Sequence, residues 1–262
     1  MSISEARKII FAHIETCRPY TVLYIGLVGL VGASIYGANS VLNLLCAWLI
    51  PTLGWIAGLY GSDYFDRDLD AYAKPQRPIP SGRMHAITAL ITMCLIIILG
   101  ALSSLLINLH TVILVIIATI IGILYSTVGK KHGLLGNILR GFMTVLVLMY
   151  GSMMVLPWPT VELVPLAIAF ALLDTASNLM GSIRDIEGDN NCGYHSFAVA
   201  WGVIPSLILI SIFEFFAFLV VTIAIINIQQ EGIQLYLSML CLSISMILIV
   251  MGIFSVWKMV RS

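Results

Sequence analysis

The sequence predicts an all-α membrane protein, a bundle of about eight transmembrane helices around a central cavity that opens to the cytoplasmic side. Composition is the first reason: 60% of the 262 residues are hydrophobic and only 10% are charged, whereas soluble domains are typically about 25% charged. The mean hydropathy of +1.03 agrees with this. The second reason is the distribution of the acids, many of which fall in two short runs that each follow an apolar stretch.

Apolar stretches of sufficient length define the spans. A bilayer core of about 30 Å requires about 20 residues of helix. The stretches that meet this requirement are residues 20–37, 41–61, 85–104, 110–128, 137–156, 163–183, 203–226 and 235–257. We expect them to form a single membrane domain over residues 1–262. Its two four-span halves, each containing one acidic run, are residues 19–128 and 129–262.

A short helix is expected before the first span. Ser2 and Glu5 have the spacing of a capping box, and apolar residues then recur at helical spacing until Pro19 ends the pattern. Such a segment is typical of a helix that lies on the membrane surface. Residues 1–18 are therefore predicted to form an interfacial helix.

The basic residues predict the orientation in the membrane. With eight spans, all 13 Lys and Arg residues lie on or near one face, whereas the opposite loops offer only Glu162, Glu231 and His110. Loops rich in Lys and Arg stay in the cytoplasm. Both termini and both acidic runs are therefore predicted to be cytoplasmic.

Net charge and cysteine spacing exclude several classes of function. The formal net charge is zero, so nothing indicates a nucleic-acid partner. The five cysteines are scattered singly, without the paired spacing of a disulfide framework or a zinc site.

The first acidic run spans residues 62–70, and its carboxylates have helical spacing. If the second span continues as helix through it, Asp63, Asp66 and Asp70 project from one face. In the second run, Asp185 and Asp189 are also four residues apart. Like charges at this spacing are destabilising unless a cation joins them, and hard oxygen ligands suit Mg²⁺. We predict that these five aspartates are catalytic and bind Mg²⁺ from two sides of one cavity.

Basic residues near the acidic runs are candidates for binding phosphate. Lys74, Arg77 and Arg83 lie in a segment that three prolines and a glycine stiffen, so their side chains can be held over the cavity mouth. After the fourth span, Tyr125 precedes Lys130 and Lys131, either of which can contact a leaving group. Anchoring of the cytoplasmic face is the alternative role for these lysines.

Two polar residues lie inside the sixth span. Asp174 is about 16 Å deeper than Asp185 if the helix is continuous, and Asn178 lies between them on the same stripe. Ionisable groups at such depth are costly and usually functional. We expect this pair to orient an acceptor or to stabilise a cation, with an interhelical hydrogen bond as the alternative.

Taken together, these motifs resemble the UbiA superfamily of intramembrane prenyltransferases. The resemblance covers nearly the whole chain in span number and motif order. It is carried by Asp63-x-x-Asp66-x-x-x-Asp70, the Lys74-Pro75 to Gly82-Arg83 segment, Arg184-Asp185-Ile186-Glu187-Gly188-Asp189 and Arg18-Pro19. The first motif departs from the family pattern, because Ser62 stands where the family usually has Asn. Ser62 and Arg184 are included among the expected substrate-binding residues.

The resemblance implies an Mg²⁺-dependent enzyme that ionises an isoprenyl diphosphate and transfers the prenyl group to a lipophilic acceptor, with an aromatic acceptor as the first expectation. The partners implied are the diphosphate, the acceptor and membrane lipid. A terpene cyclase of the same superfamily is the alternative, since it needs the same metal site. A cation transporter is disfavoured, because transporters generally place their ions near mid-membrane.

Overall fold

The computed structural model describes residues 3–227, Phe254 and Lys258. Within that part the chain is almost entirely helical, with two 3₁₀ turns at Gly129–Lys131 and Val161–Leu163. The α-helices are α1 (Ile3–Cys17), α2 (Pro19–Ile35), α3 (Val41–Phe65), α4 (Arg67–Ala73), α5 (Ala86–Ile107), α6 (Leu109–Thr127), α7 (Leu135–Ser152), α8 (Val164–Arg184), α9 (Ile186–Asn191), α10 (Phe197–Trp201) and α11 (Val203–Asn227). A two-residue parallel pair joins β1 (His132–Gly133) to β2 (His195–Ser196).

The predicted spans correspond to the long helices. Seven of the eight predicted spans coincide with α2, α3, α5, α6, α7, α8 and α11, and the eighth, residues 235–257, lies almost wholly outside the described residues. Over the described residues, six helices are by themselves long and apolar enough to cross a membrane, and α1 with α2 forms a seventh, bent candidate. The predicted all-α membrane fold is confirmed.

Five helices form a closed ring. Helix α2 packs against α3 and α7, α3 against α5, α5 against α6, and α6 against α7. Helix α8 packs against α7, and α11 packs against α8. The ring and α8 together surround a central cavity of about 930 Å³.

Helices α2 and α7 approach closely because glycines meet at their contact. A Cβ atom added at Gly32 would overlap the carbonyl oxygen of Leu148, and one added at Gly151 would overlap the carbonyl oxygen of Gly29. Small residues allow such backbone approach between membrane helices, where packing is a main source of association energy.

This contact predicts that Gly151→Ala lowers the free energy of unfolding by about 1–3 kcal/mol, since an added methyl group must separate the two backbones. Gly54→Ala is the matched control, because an added Cβ at that helical position meets nothing within 4 Å. Both changes replace a helical glycine with alanine, so intrinsic helix propensity does not distinguish them. The measurement is thermal unfolding in detergent, and equal stability of the two variants would contradict the prediction.

The helix is interrupted at an aspartate in each acidic run. Asp66, with φ −91° and ψ 5°, separates α3 from α4, and Asp185, with φ −97° and ψ 8°, separates α8 from α9. Hydrogen bonds between residues four apart nevertheless continue through both points, from Asp70 N to Asp66 O and from Asp189 N to Asp185 O. Each run is therefore a helical segment that is interrupted at one residue.

Candidate active site

One end of the central cavity is acidic and the remainder is largely apolar. Asp66 and Asp70 line that end from one side, and Asp185 and Asp189 line it from the other. Ile50, which also lines the cavity, lies 16 residues before Asp66, or about 24 Å away along a helix. The cavity is thus long enough for an extended apolar chain attached to a polar head.

Glycines keep the apolar part of the cavity wide. Gly54 and Gly58 of α3 and Gly100 of α5 line it, and a Cβ atom added at any of the three would meet nothing within 4 Å. Their missing side chains leave space that a ligand can fill.

Apart from the largely exposed Arg184, three basic residues contact the acids at the cavity end. Arg77 Nη1 lies 2.5 Å from Asp70 Oδ2, and Lys74 Nζ lies 3.1 Å from Asp185 Oδ1. Lys130, in the 3₁₀ turn after α6, pairs with Asp66. All three bases line the cavity, so the acidic end holds carboxylates and phosphate-binding cations side by side.

Burial and neighbouring charges perturb the acids. Burial raises the pKa of Asp70 despite its contact with Arg77. Burial and the charge of Asp185 raise the pKa of Asp189 to about 6. Burial would also raise the pKa of Asp185, but Lys74 and Arg184 outweigh this effect and lower it. Such opposed shifts are typical of functional sites.

The acids suit a hard divalent cation in their chemistry. Asp66 Oδ1 is buried and has no hydrogen-bond partner among the described residues, although an unsatisfied buried carboxylate oxygen is costly. Over the same residues, no group of three potential ligands converges on one point, because basic side chains hold most of these carboxylates. Asp66 and Asp70 on one side of the cavity and Asp185 and Asp189 on the other have the chemistry that Mg²⁺ prefers. To bind the metal, the carboxylates that are paired with basic side chains must first be released by them.

Asp63 lies outside the cavity lining. Its side chain accepts hydrogen bonds from Arg18 Nη2 at 2.8 Å and Thr16 Oγ1 at 3.1 Å, and Arg77 Nη1 lies 3.7 Å away. Arg18 joins α1 to α2 and has a positive φ of 44°. Asp63 therefore connects α3 to the α1–α2 junction, and although Arg77 joins it to Asp70, it does not line the cavity as Asp66 and Asp70 do.

Three other predicted residues also lie outside the cavity lining. Arg83 pairs with Glu15 of α1 at 2.6 Å. Lys131 lies over the Tyr194 ring, 5.4 Å from its centroid. Asp174 is buried behind the wall, where it pairs with Arg140.

Tyr125 and Asn178 belong to a polar network at the cavity wall. Asn178 Nδ2 donates to Tyr125 Oη at 3.2 Å and accepts from Asn137 Nδ2 at 2.9 Å. The network joins α6, α7 and α8. Arg184 also lines the cavity, with its Nε 3.5 Å from Asp185.

Comparison with known proteins identifies the family. The model of the UbiA prenyltransferase family matches residues 22–261. The chain belongs to this family. The resemblance drawn from the sequence motifs is confirmed, and the protein is an enzyme, a UbiA-family prenyltransferase.

Two curated relatives of this UbiA-family chain carry the same name. The digeranylgeranylglyceryl phosphate synthase of Pyrococcus furiosus is 29% identical over 77% of this chain and 73% of the relative. The enzyme of the same name from Thermococcus gammatolerans is 31% identical over 73% of this chain and 69% of the relative.

Solved structures share the fold. A UbiA homologue from Archaeoglobus fulgidus, bound to DMAPP and Mg²⁺, matches with a TM-score of 0.76 and 17% identity over 91% of this chain and 86% of that one. A UbiA homologue from Aeropyrum pernix K1 matches with a TM-score of 0.80 and 16% identity over 92% of this chain and 89% of that one.

The position at which UbiA proteins usually carry Asn is Ser62 in this chain, and its hydroxyl takes part in the acid–base contacts. Ser62 Oγ donates to Asp66 Oδ2 at 3.1 Å and accepts from Lys130 Nζ at 2.8 Å. The hydroxyl thus contacts both members of one ion pair. Lys130, rather than Lys131, is the lysine that the structure brings to the acidic runs.

Sequence reasoning missed two cavity residues of this UbiA-family chain. Arg140 was counted among the cytoplasmic basic residues, yet it lines the cavity from within α7. Its place inside the predicted span 137–156 was the available signal. Tyr194 also lines the cavity, but it lies in a loop without a motif, and no sequence pattern pointed to it.

Proposed function

We propose that this chain is an Mg²⁺-dependent intramembrane prenyltransferase that ionises an isoprenyl diphosphate and transfers its prenyl group to a lipophilic acceptor. The observation that carries the proposal is the single cavity whose acidic end holds Asp66, Asp70, Asp185 and Asp189 beside three bases, while its remainder is apolar. The polar end suits a diphosphate and the apolar part suits a prenyl tail.

Lys74, Arg77 and Lys130 are proposed to bind the diphosphate oxygens. As they turn to phosphate, they release the carboxylates of Asp185, Asp70 and Asp66 to hold Mg²⁺. Bound Mg²⁺ supplies positive charge for the departing diphosphate. Fixed cations in a site of low dielectric stabilise developing negative charge far better than water does.

Transfer then moves the prenyl group from the donor to the acceptor and moves a proton off the acceptor. The bond between prenyl C1 and the diphosphate oxygen breaks, and its electron pair leaves with the diphosphate. An acceptor oxygen or carbon forms the new bond to C1 and loses its proton, which the released diphosphate takes up. The apolar walls around Gly58 and Gly100 exclude water, which would otherwise capture the allylic cation.

The relatives favour one class of acceptor. Because they are named as synthases of digeranylgeranylglyceryl phosphate, we infer a lipid glyceryl phosphate as acceptor in place of the aromatic compound first expected, and a geranylgeranyl donor. The homologue structure with DMAPP and Mg²⁺ supports a prenyl diphosphate and that metal. We keep the prediction that the acidic end and both termini face the cytoplasm, since the basic residues cluster on that side.

Product analysis tests the proposed function. Purified protein is incubated with Mg²⁺ and geranyl, farnesyl or geranylgeranyl diphosphate, with and without geranylgeranylglyceryl phosphate, and the products are identified by mass spectrometry. We expect a prenylated glyceryl phosphate and free diphosphate, with the geranylgeranyl donor preferred. A cyclic hydrocarbon formed without acceptor would establish the cyclase alternative. Absence of diphosphate release from every donor would overturn the proposal.

A further inference from the structure

Arg140 is a cavity-lining cation that belongs to neither acidic run. It lies on α7 and contributes to the cavity wall with a side chain that is 16% exposed. Its Nε is 3.1 Å from Asp174 Oδ2 of α8. Beyond this ion pair, no described residue accepts a hydrogen bond from its guanidinium. Its Nη1 and Nη2 donors thus have no partner among the described residues, and the side chain lines the cavity.

The surroundings of Arg140 fix the position of its guanidinium. The guanidinium carbon lies 3.8 Å from the centroid of the Trp55 ring, the distance of a stacked cation–π contact. Trp55 also lines the cavity and is held in turn by a hydrogen bond from its Nε1 to Thr21 Oγ1 at 2.9 Å. Asp174, behind the wall, accepts from Thr144 Oγ1 at 2.6 Å.

Maintaining a cation in an apolar wall is costly. A buried pair such as Arg140 with Asp174 is often no more stabilising than apolar residues of similar volume, and charged groups inside spans usually face a functional cavity. Simple attachment of α7 to α8 would not require a cavity-lining side chain whose remaining N–H donors have no partner among the described residues. The arrangement therefore calls for a ligand that accepts hydrogen bonds.

We propose that Arg140 binds the anionic group of the prenyl acceptor, a phosphate or a carboxylate. The inference rests on the proposed function and extends it. The donor diphosphate is assigned to Lys74, Arg77 and Lys130 at the acidic end, so a second anion needs its own cation. The planar guanidinium suits two oxygens of such a group, and Trp55 holds that plane in place. Asp174 acts as a positioning residue, because it contacts Arg140 and not the cavity.

The orientation of the acceptor follows from two separate anion sites. With its anion at Arg140 and the donor diphosphate at the acidic end, the acceptor nucleophile lies between them, near prenyl C1. An uncharged acceptor would lose this orientation. Arg140 thereby determines both affinity for the acceptor and preference for an acidic one.

Acceptor binding and kinetics test the proposal in full-length protein. The variants are Arg140→Gln, which removes the positive charge, and Arg140→Lys, which keeps the charge but lacks the planar guanidinium. Arg67→Gln is the matched control, because Arg67 lies outside the cavity lining. The probes are geranylgeranylglyceryl phosphate, its dephosphorylated form and 4-hydroxybenzoate, which distinguish phosphate from carboxylate recognition. Dissociation constants are measured by calorimetry without donor.

Of the two anionic probes, one will bind more tightly to wild-type protein. For Arg140→Gln we expect the affinity for that probe to fall at least about tenfold. The KM for the donor and the affinity for the dephosphorylated probe should stay unchanged, and Arg140→Lys should recover part of the loss. Unchanged affinity for both anionic probes would overturn the proposal. Equal losses for charged and uncharged probes would also overturn it, since they would indicate a purely structural role. Failure of wild-type protein to release diphosphate would instead count against the proposed function, because Arg140 does not contact the donor.

Discussion

Asp66→Asn is expected to lower the rate of Mg²⁺-dependent diphosphate release by about two to three orders of magnitude while leaving the protein folded. Asp66 lies between α3 and α4 and lines the acidic end of the cavity. Its Oδ1 has no hydrogen-bond partner among the described residues, so this oxygen is available to a metal ion. Asn keeps the shape of the side chain but removes the charge that holds the cation.

Single-turnover release of diphosphate from geranylgeranyl diphosphate, over a range of Mg²⁺ concentrations, measures this effect. Asp68→Asn is the matched control, because Asp68 belongs to the same run but its side chain is 92% exposed. The control should keep wild-type rates and Mg²⁺ dependence. Wild-type activity of Asp66→Asn would remove Asp66 from the proposed metal site.

Much of the fold was predictable because membrane helices carry a strong local signal. Each spanning helix must satisfy its own backbone hydrogen bonds and present apolar side chains to lipid, so length and hydropathy alone located the seven spans that fall in the described residues. The acidic runs were equally visible, since carboxylates are rare in such a chain. Their placement on two sides of one cavity agrees with the expectation from spacing.

The direction of individual side chains was less predictable because it depends on tertiary contacts. The helical spacing predicted that Asp63 lines the cavity with Asp66, but it could not include Arg18 and Thr16, whose hydrogen bonds hold Asp63 outside the cavity lining. Arg83 likewise pairs with Glu15, a residue 68 positions earlier in the chain. Arg140 was assigned to the membrane surface by its charge, whereas its partner Asp174 on α8 stabilises it within the bundle. Such long-range pairs leave no pattern in a single sequence.

Asp63 supports the fold around the site, and its loss is the second large effect that we expect. Asp63 is 4% exposed and connects α3 to the α1–α2 junction through Arg18 and Thr16. Removing one partner of a buried pair leaves the other charge uncompensated, which costs about 3–5 kcal/mol. Because the Arg18 side chain is 26% exposed, we expect Asp63→Leu to cost about 3 kcal/mol, near the lower end of this range.

A double-mutant cycle separates this structural role from metal binding. Thermal or denaturant unfolding is measured for Asp63→Leu, Arg18→Leu and the double variant, which should be more stable than the sum of the single losses predicts because neither charge is then left unpaired. At a temperature where Asp63→Leu remains folded, its Mg²⁺ dependence should match that of wild type, unlike that of Asp66→Asn. A rise in the Mg²⁺ requirement of Asp63→Leu, with additive stability losses, would instead place Asp63 among the metal ligands, as the spacing in the sequence first indicated.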